Sequence, residues 1–310
     1  MKRFRVIFMG TPDFAVPCLA RLLDISNVIG VVTQPDKPKG RGQKLLPPPV
    51  KIFAEAHGIE VYQPERVKMP DFVNILQELA PDLIVVVAFG QILSKDILSL
   101  PPLGCVNVHA SLLPRYRGAA PMQWAIVRGE TETGITTMFM DEGLDTGDML
   151  LQEKLPISQT MTTAELHDAM MQLGADVLEK TILSLAAGTL ERIPQDETHS
   201  TYAPLLSKET GCIDWQKNAR EIHDLVRGLN SWPGAYSILN GQKFKIWRTR
   251  PAEGTANPGE IVSVTPQGLL VGTGKGMLEI LELQAPNKKK MKASDYVRGH
   301  GLHLPARFDA

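Results

Sequence analysis

Asn107 and His109 stand two residues apart in the stretch Gly104–Gly118, GCVNVHASLLPRYRG, directly after an apolar strand-like run. In extended chain, residues two apart leave the same face. One face then offers an amide donor and a titratable imidazole. That pair suits acyl transfer, where a carbonyl oxygen becomes an oxyanion that needs donors while a proton moves from attacking amine to leaving nitrogen. An isolated Asn-x-His is more often a satisfied histidine at a strand end, so the surrounding sequence has to decide.

A second stretch, GITTMFMDEGLDTGDML over Gly134–Leu150, carries Asp141, Glu142, Asp145 and Asp148 with Gly143 and Gly147. The acid spacing departs from the calcium-loop pattern D-x-[DN]-x-[DN]-G, so no metal is expected. A single aspartate beside His109 would orient the ring and balance the charge of its protonated form. Spacing does not choose among the three aspartates. The turn Gly10-Thr11-Pro12-Asp13-Phe14 lacks the later glycines of a dinucleotide fingerprint, and no Walker A sequence occurs, which removes the usual support for nicotinamide or ATP chemistry.

Short apolar runs alternate with helical periodicity in the first half of the chain. Strands are predicted at Phe4–Met9, Val28–Thr33, Glu60–Tyr62 and Leu83–Phe89, and helices at Phe14–Leu23, Val50–His57 and Phe72–Leu79. The continuous run LIVVVAF fits a central parallel strand. The fold class is therefore α/β, a doubly wound, mostly parallel Rossmann-like sheet whose site should lie outside the carboxyl ends of its strands. Residues 163–187 read as a long helix that Gly188 can cap. Residues 189–208 have no sustained period and are read as a linker between a domain at 1–188 and one at 209–310. Past a helical stretch at Ala219–Leu229, evenly spaced short strands suggest a small OB-like β-barrel.

The chain has 310 residues, 33 Lys and Arg against 34 Asp and Glu, and 43% apolar residues. This excludes disordered and collagen-like classes. Leu83–Phe89, the longest apolar run, is far below the roughly 20 residues that cross a bilayer. The N-terminus MKRFRVIFMG reads as a strand without a small-residue cleavage site. Three scattered cysteines, Cys18, Cys105 and Cys212, argue against a disulfide framework and fit a reducing cytoplasm. Residues 205–310 carry 15 Lys and Arg against 10 Asp and Glu, which makes this third the basic part. Asp36–Pro49 adds Lys37, Lys39, Arg41 and Lys44 against one acid, and its glycines and prolines predict a mobile basic finger.

Together, Asn107-x-His109 with SLLPRYRG, followed by GITTMFMDEGLDTGD, resemble the folate-dependent formyltransferases. The resemblance places the family's catalytic trio on Asn107, His109 and Asp145. FMGTPDFAVPCL, TQPDKPKGRGQKLLPPPVK, SKETGCIDW and WPGAYS extend the likeness nearly end to end, toward the members that formylate a charged tRNA. It implies 10-formyltetrahydrofolate as donor, with no metal, and the α-amine of initiator methionyl-tRNA as nucleophile. Ser111, Leu112, Leu113 and Pro114, with Gln91, Ile92 and Leu93, are inferred to line the folate site. Lys37, Lys39, Arg41 and Lys44, together with Lys208, Lys288, Lys289 and Lys290, are the candidates for tRNA contact. Arg115 and Arg117 stay unassigned between anion contact and loop anchoring. A cytoplasmic monomer without membrane association is expected. The competing readings are a formyltransferase for an amino sugar nucleotide or other small amine, a silent RNA- or folate-binding module, and a nicotinamide oxidoreductase.

Overall fold

The computed structural model describes residues 3–39, 44–301, 304 and 306–309. The chain divides into two compact units: Met1–Gly118 with Thr133–Leu155 and His167–Tyr202, and Ala119–Glu132 with Pro156–Leu166 and Ala203–Ala310.

The first unit is built on a seven-stranded sheet. Its order is Met149–Pro156, Glu132–Phe139, Cys105–His109, Leu83–Val87, Arg5–Gly10, Asn27–Val32, Val61–Tyr62. The strands from Cys105–His109 to Val61–Tyr62 pair in parallel, and Glu132–Phe139 joins Cys105–His109 antiparallel. All five residues of Leu83–Val87 are buried, as a strand covered on both faces requires. Each such side chain stabilises the fold by about 1.5–3 kcal/mol relative to exposure. Helices Val16–Ile25, Pro49–Ala56 and Pro70–Leu79 each carry proline in the first turn, where its missing N–H leaves no bond unmade. The chain runs outward from Arg5–Gly10 and then returns to Leu83–Val87 on its other side, so the switch point lies at the carboxyl ends of these two strands. The strand Cys105–His109 ends beside it.

The segment read as an irregular finger is paired on both flanks: Lys37–Lys39 lies antiparallel to Lys44–Leu46. Lysine and proline have weak strand propensity, which hides the hairpin in the sequence. At its base Lys51 Nζ reaches Asp36 Oδ1 at 3.0 Å and Gln63 Oε1 at 2.8 Å. Bonds from Gln63 and Lys51 hold the Asp36 carboxyl below the usual carboxylate range. Residues 189–202 belong to the first unit, with a bridge from Ile193 to Met149 and a short strand at Tyr202–Ala203.

The second unit centres on a six-stranded antiparallel barrel, closed where Gln242–Ala252 pairs with Met277–Gln284. Ala235–Leu239, Glu260–Val264, Leu269–Gly272 and Ala306–Asp309 complete it. Trp215 stacks on Phe308 in its core at 5.4 Å, and Trp215 Nε1 donates to Ser237 Oγ at 2.9 Å. Helix Ala219–Gly228 opens with a full capping box, Asn218 and Glu221. Its buried face includes a polar stripe. Arg227 Nε donates to Asp224 Oδ1 at 2.7 Å, while its Nη1 reaches the carbonyls of Ser158 and Met161. His223 sits between the Gln159 carbonyl and Thr249 Oγ1, each at 3.0 Å.

Candidate active site

Along Cys105–His109 the side chains of Cys105, Asn107 and His109 share one face. Cys105 is in the core, Asn107 is half-buried, and His109 is 6% exposed at the strand's carboxyl end. His109 Nε2 lies 2.9 Å from the Tyr116 carbonyl oxygen. A carbonyl only accepts, so Nε2 carries the proton and Nδ1 keeps its lone pair. Nδ1 faces Asp145 Oδ2 at 3.7 Å. The structure thus selects Asp145 from the acid loop, where spacing alone leaves three candidates. Asp141 instead closes its own turn, accepting from Gly143 N and Thr146 Oγ1, and Asp148 pairs with Arg192. Asn107 makes no side-chain hydrogen bond to the described residues, which leaves its amide donors available.

Two residues beside His109 hold left-handed backbone, Tyr116 with φ 61° and Asp145 with φ 55°. Such non-glycine conformations cost of order 1–3 kcal/mol each and persist where the surroundings over-determine them. Tyr116 N donates to Thr201 Oγ1 at 2.8 Å, and the Asp145 carboxylate accepts from Gly118 N at 2.8 Å. Gly147 allows the acid loop to close, since a Cβ there would lie 1.8 Å from the Phe139 carbonyl oxygen. Arg117, 8% exposed, donates to both oxygens of Glu197 at 2.8 Å and to Gln195 Oε1. It is a loop anchor. Gln195 and Glu197 are the residues that sequence reading missed, because their partner lies 78 to 80 positions away with no local signal.

Residues 2–182 match the formyl transferase family and residues 205–301 the formyl transferase C-terminal domain. The methionyl-tRNA formyltransferase of Ruminiclostridium cellulolyticum is 56% identical over 303 residues, covering 96% of this chain and 97% of its own. That of Trichlorobacter lovleyi is 55% identical, covering 98% and 96%. The chain belongs to the methionyl-tRNA formyltransferase family. Among solved structures, the sugar 3N-formyltransferase WlaRD superposes with TM-score 0.68 at 22% identity, covering 93% of this chain and 100% of that one. HypX from Aquifex aeolicus, solved with tetrahydrofolic acid, gives 0.64 at 17%, covering 96% and 47%. These two likenesses show a shared fold.

The remaining candidate residues of this formyltransferase fall in four places. Ser111–Pro114 follow His109 as a tightly bonded loop: Ser111 Oγ donates to the Arg115 carbonyl, Leu113 N to Thr136 Oγ1, and Gln152 Nε2 to the Leu113 carbonyl. Their polar groups are largely spent on the loop itself, so shape is what they offer a ligand. Gln91 is tied to Val67 N and the Pro64 carbonyl, Leu93 is core, and Ile92 is 83% exposed at the carboxyl end of Leu83–Val87. A groove of 690 Å³ lined by Lys68, Asn74, Gln77, Asp82 and Asp96 lies at the opposite, amino end of that strand, away from His109.

Of the basic candidates, Lys37, Lys39 and Lys44 are on the hairpin strands, and Arg41 lies outside the described residues. Lys208, Lys288, Lys289 and Lys290 are exposed on the second unit, where Lys290 also pairs with Glu282 at 2.8 Å. The barrel adds basic and aromatic groups that the sequence does not single out. Lys243 Nζ sits 3.2 Å from the Tyr236 ring centroid, and Lys245 Nζ 5.5 Å from that of Trp247. Among the described residues no group of three His, Cys, Asp or Glu is placed to hold a metal, and no helix is long and apolar enough to cross a membrane.

Proposed function

We propose that this enzyme moves the formyl group of 10-formyltetrahydrofolate onto the α-amine of initiator methionyl-tRNA, with Asn107, His109 and Asp145 as the catalytic residues. The observation that carries the reading is His109 Nδ1 facing Asp145 beside the amide of Asn107, in a chain of this family. A folate donor fits the surroundings: Ile92 offers exposed apolar area next to the strand ends, and Asn107 offers a donor that no described residue uses.

A free α-amine has a pKa of about 8, so a useful neutral fraction exists near pH 7 without a strong base. Its lone pair forms the new C–N bond as the formyl C=O electrons move onto oxygen, where Asn107 Nδ2 donates a hydrogen bond. The proton released from the attacking nitrogen passes through His109 Nδ1 to the folate nitrogen, directly or by one water. As that C–N bond breaks, the carbonyl re-forms. Asp145 balances the imidazolium while the proton is in transit. Lys37, Lys39 and Lys44 on the hairpin strands, with Arg41, Lys208 and Lys288 to Lys290, would meet tRNA phosphates. The reading includes a monomer working in the cytoplasm, which sedimentation and fractionation test.

The fold shared with sugar N-formyltransferases supplies the second reading, an amino sugar nucleotide as acceptor. Incubation with 10-formyltetrahydrofolate and either methionyl-initiator tRNA or a dTDP-amino sugar separates them. The proposal expects formyl on the tRNA-borne methionine, and transfer to the sugar alone would replace it with the second reading.

A further inference from the structure

The carboxamide of Gln195 is fully used. Its Oε1 accepts from Arg117 Nε at 3.0 Å and Nη2 at 2.8 Å, while its Nε2 donates to the carbonyls of Asp145 and Gly147, each at 2.8 Å. An amide offers two acceptor positions and two donor protons, so all four are engaged and the orientation of the group is fixed. Arg117 is itself locked by both oxygens of Glu197. The next residue, Gly118, donates its N–H to the Asp145 carboxylate. The pair Arg117–Gly118 therefore grips Asp145 twice, directly at the carboxylate and through Gln195 at the backbone.

We propose that Gln195 is a positioning residue for formyl transfer, holding the Asp145 loop so that its carboxylate faces His109. This rests on the reading of Asp145 as catalytic. The left-handed backbone at Asp145 gives the grip a physical purpose. An aspartate at φ 55° relaxes readily unless its carbonyl is directed, and Gln195 Nε2 directs it. The neighbouring pins, Arg192 on Asp148 and the Ile193–Met149 bridge, hold the outgoing end of the same loop. Gln195 is the residue of this segment that bonds to Asp145 itself.

Two variants separate positioning from simple support. Gln195→Met keeps the length and loses all four bonds. Gln195→Glu keeps a partner for Arg117 but sets an oxygen against the two carbonyls. Both are expected to lower kcat by about tenfold to a hundredfold, the scale of a misplaced catalytic group. KM for the folate donor should stay within about twofold of the parent, because no donor-lining segment is touched. In a background of Asp145→Asn, where the loop no longer serves catalysis, Gln195→Met should cost little more. Thermal melting accompanies each variant to show that it is folded.

Wild-type kcat in both Gln195 variants, with Asp145→Asn impaired, would overturn this proposal and leave the reading of Asp145 standing. Losses that multiply fully in the double variant would also overturn it, since Gln195 would then act independently of Asp145. Full activity of Asp145→Asn would remove the reading of Asp145 and the proposal with it.

Discussion

His109 Nδ1 and Asp145 Oδ2 are 3.7 Å apart, near enough for charge to be felt and too far for a hydrogen bond. The other ring nitrogen is committed to the Tyr116 carbonyl at 2.9 Å. The imidazole is therefore anchored on one side and faces its counter-charge on the other, where a proton can arrive and leave. The chemistry follows from that asymmetry.

Replacing His109 with alanine should reduce turnover by about 100- to 10,000-fold, the usual range for losing a positioned acid–base group. Stability should fall by only about 1–3 kcal/mol, the consequence of losing the buried bond from His109 to the Tyr116 carbonyl. Formyl-transfer rate and urea denaturation, measured on the same sample, check both figures. Near-normal turnover would refute the assignment.

Asn107→Ala isolates the donor without touching any bond within the described fold. Turnover should drop by about 100-fold with an unchanged melting temperature, since the carboxamide has no described partner to abandon. A drop in melting temperature matching the loss in rate would instead mark Asn107 as a structural residue.

His223 makes stability depend on pH. Burial holds its pKa below the ordinary value of 6.5, against a smaller opposing effect from its bond to the Gln159 carbonyl. The unfolded chain therefore takes up the proton first as pH falls, and binds more protons than the native state in the window below 6.5. Stability is fully present above that window and declines as pH drops through it. The melting temperature should therefore fall as pH drops through and below about 6.5. The fall should be shallower in His223→Gln, and an identical fall in both proteins would exclude His223 as the cause.

Buried charge in the second unit is expected to be costly to break. Asp224 and Arg227 are each 3% exposed and pair at 2.7 Å. Among the described residues, Arg227→Met leaves the carboxylate paired with the half-exposed Arg220, and should destabilise by about 3–5 kcal/mol. Calorimetry of the full chain reads the change. A loss below about 1 kcal/mol would place the pair with ordinary surface bridges.

For tRNA, alanine at Lys288, Lys289 and Lys290 together should weaken binding and flatten the dependence of log Kd on log salt by roughly 0.7–0.9 for each phosphate that is no longer neutralised. The KM for the folate donor should not change. A salt slope equal to that of the parent protein would show that these lysines are only solvated surface.

Much of this architecture can be read in one dimension because burial on both faces writes continuous apolar runs, as at Leu83–Val87, and packed helices write a 3.6-residue period, as at Pro70–Leu79. Asn107 and His109 can be paired from spacing alone because a strand has period two. Elements held by polar groups leave no such mark. Helix Ala293–His300 is short and mostly polar, and strand Ala306–Asp309 is too short to show a period, so sequence patterning reveals neither. Arg117 shows the same limit within the site: its sequence neighbours say nothing of Glu197 or Gln195, and only folding brings them within 3.0 Å.

The most direct test is a single-turnover assay with labelled 10-formyltetrahydrofolate and methionyl-initiator tRNA, comparing the parent enzyme with Asp145→Asn. Asparagine keeps an oxygen for the Gly118 N–H, while it removes the charge and puts an NH2 donor in place of the other oxygen. The parent should deliver the label to methionine, and the variant should bind both substrates yet transfer about 100-fold more slowly or worse. Transfer at the parental rate would contradict the role given to Asp145 and, with it, the catalytic geometry built around His109.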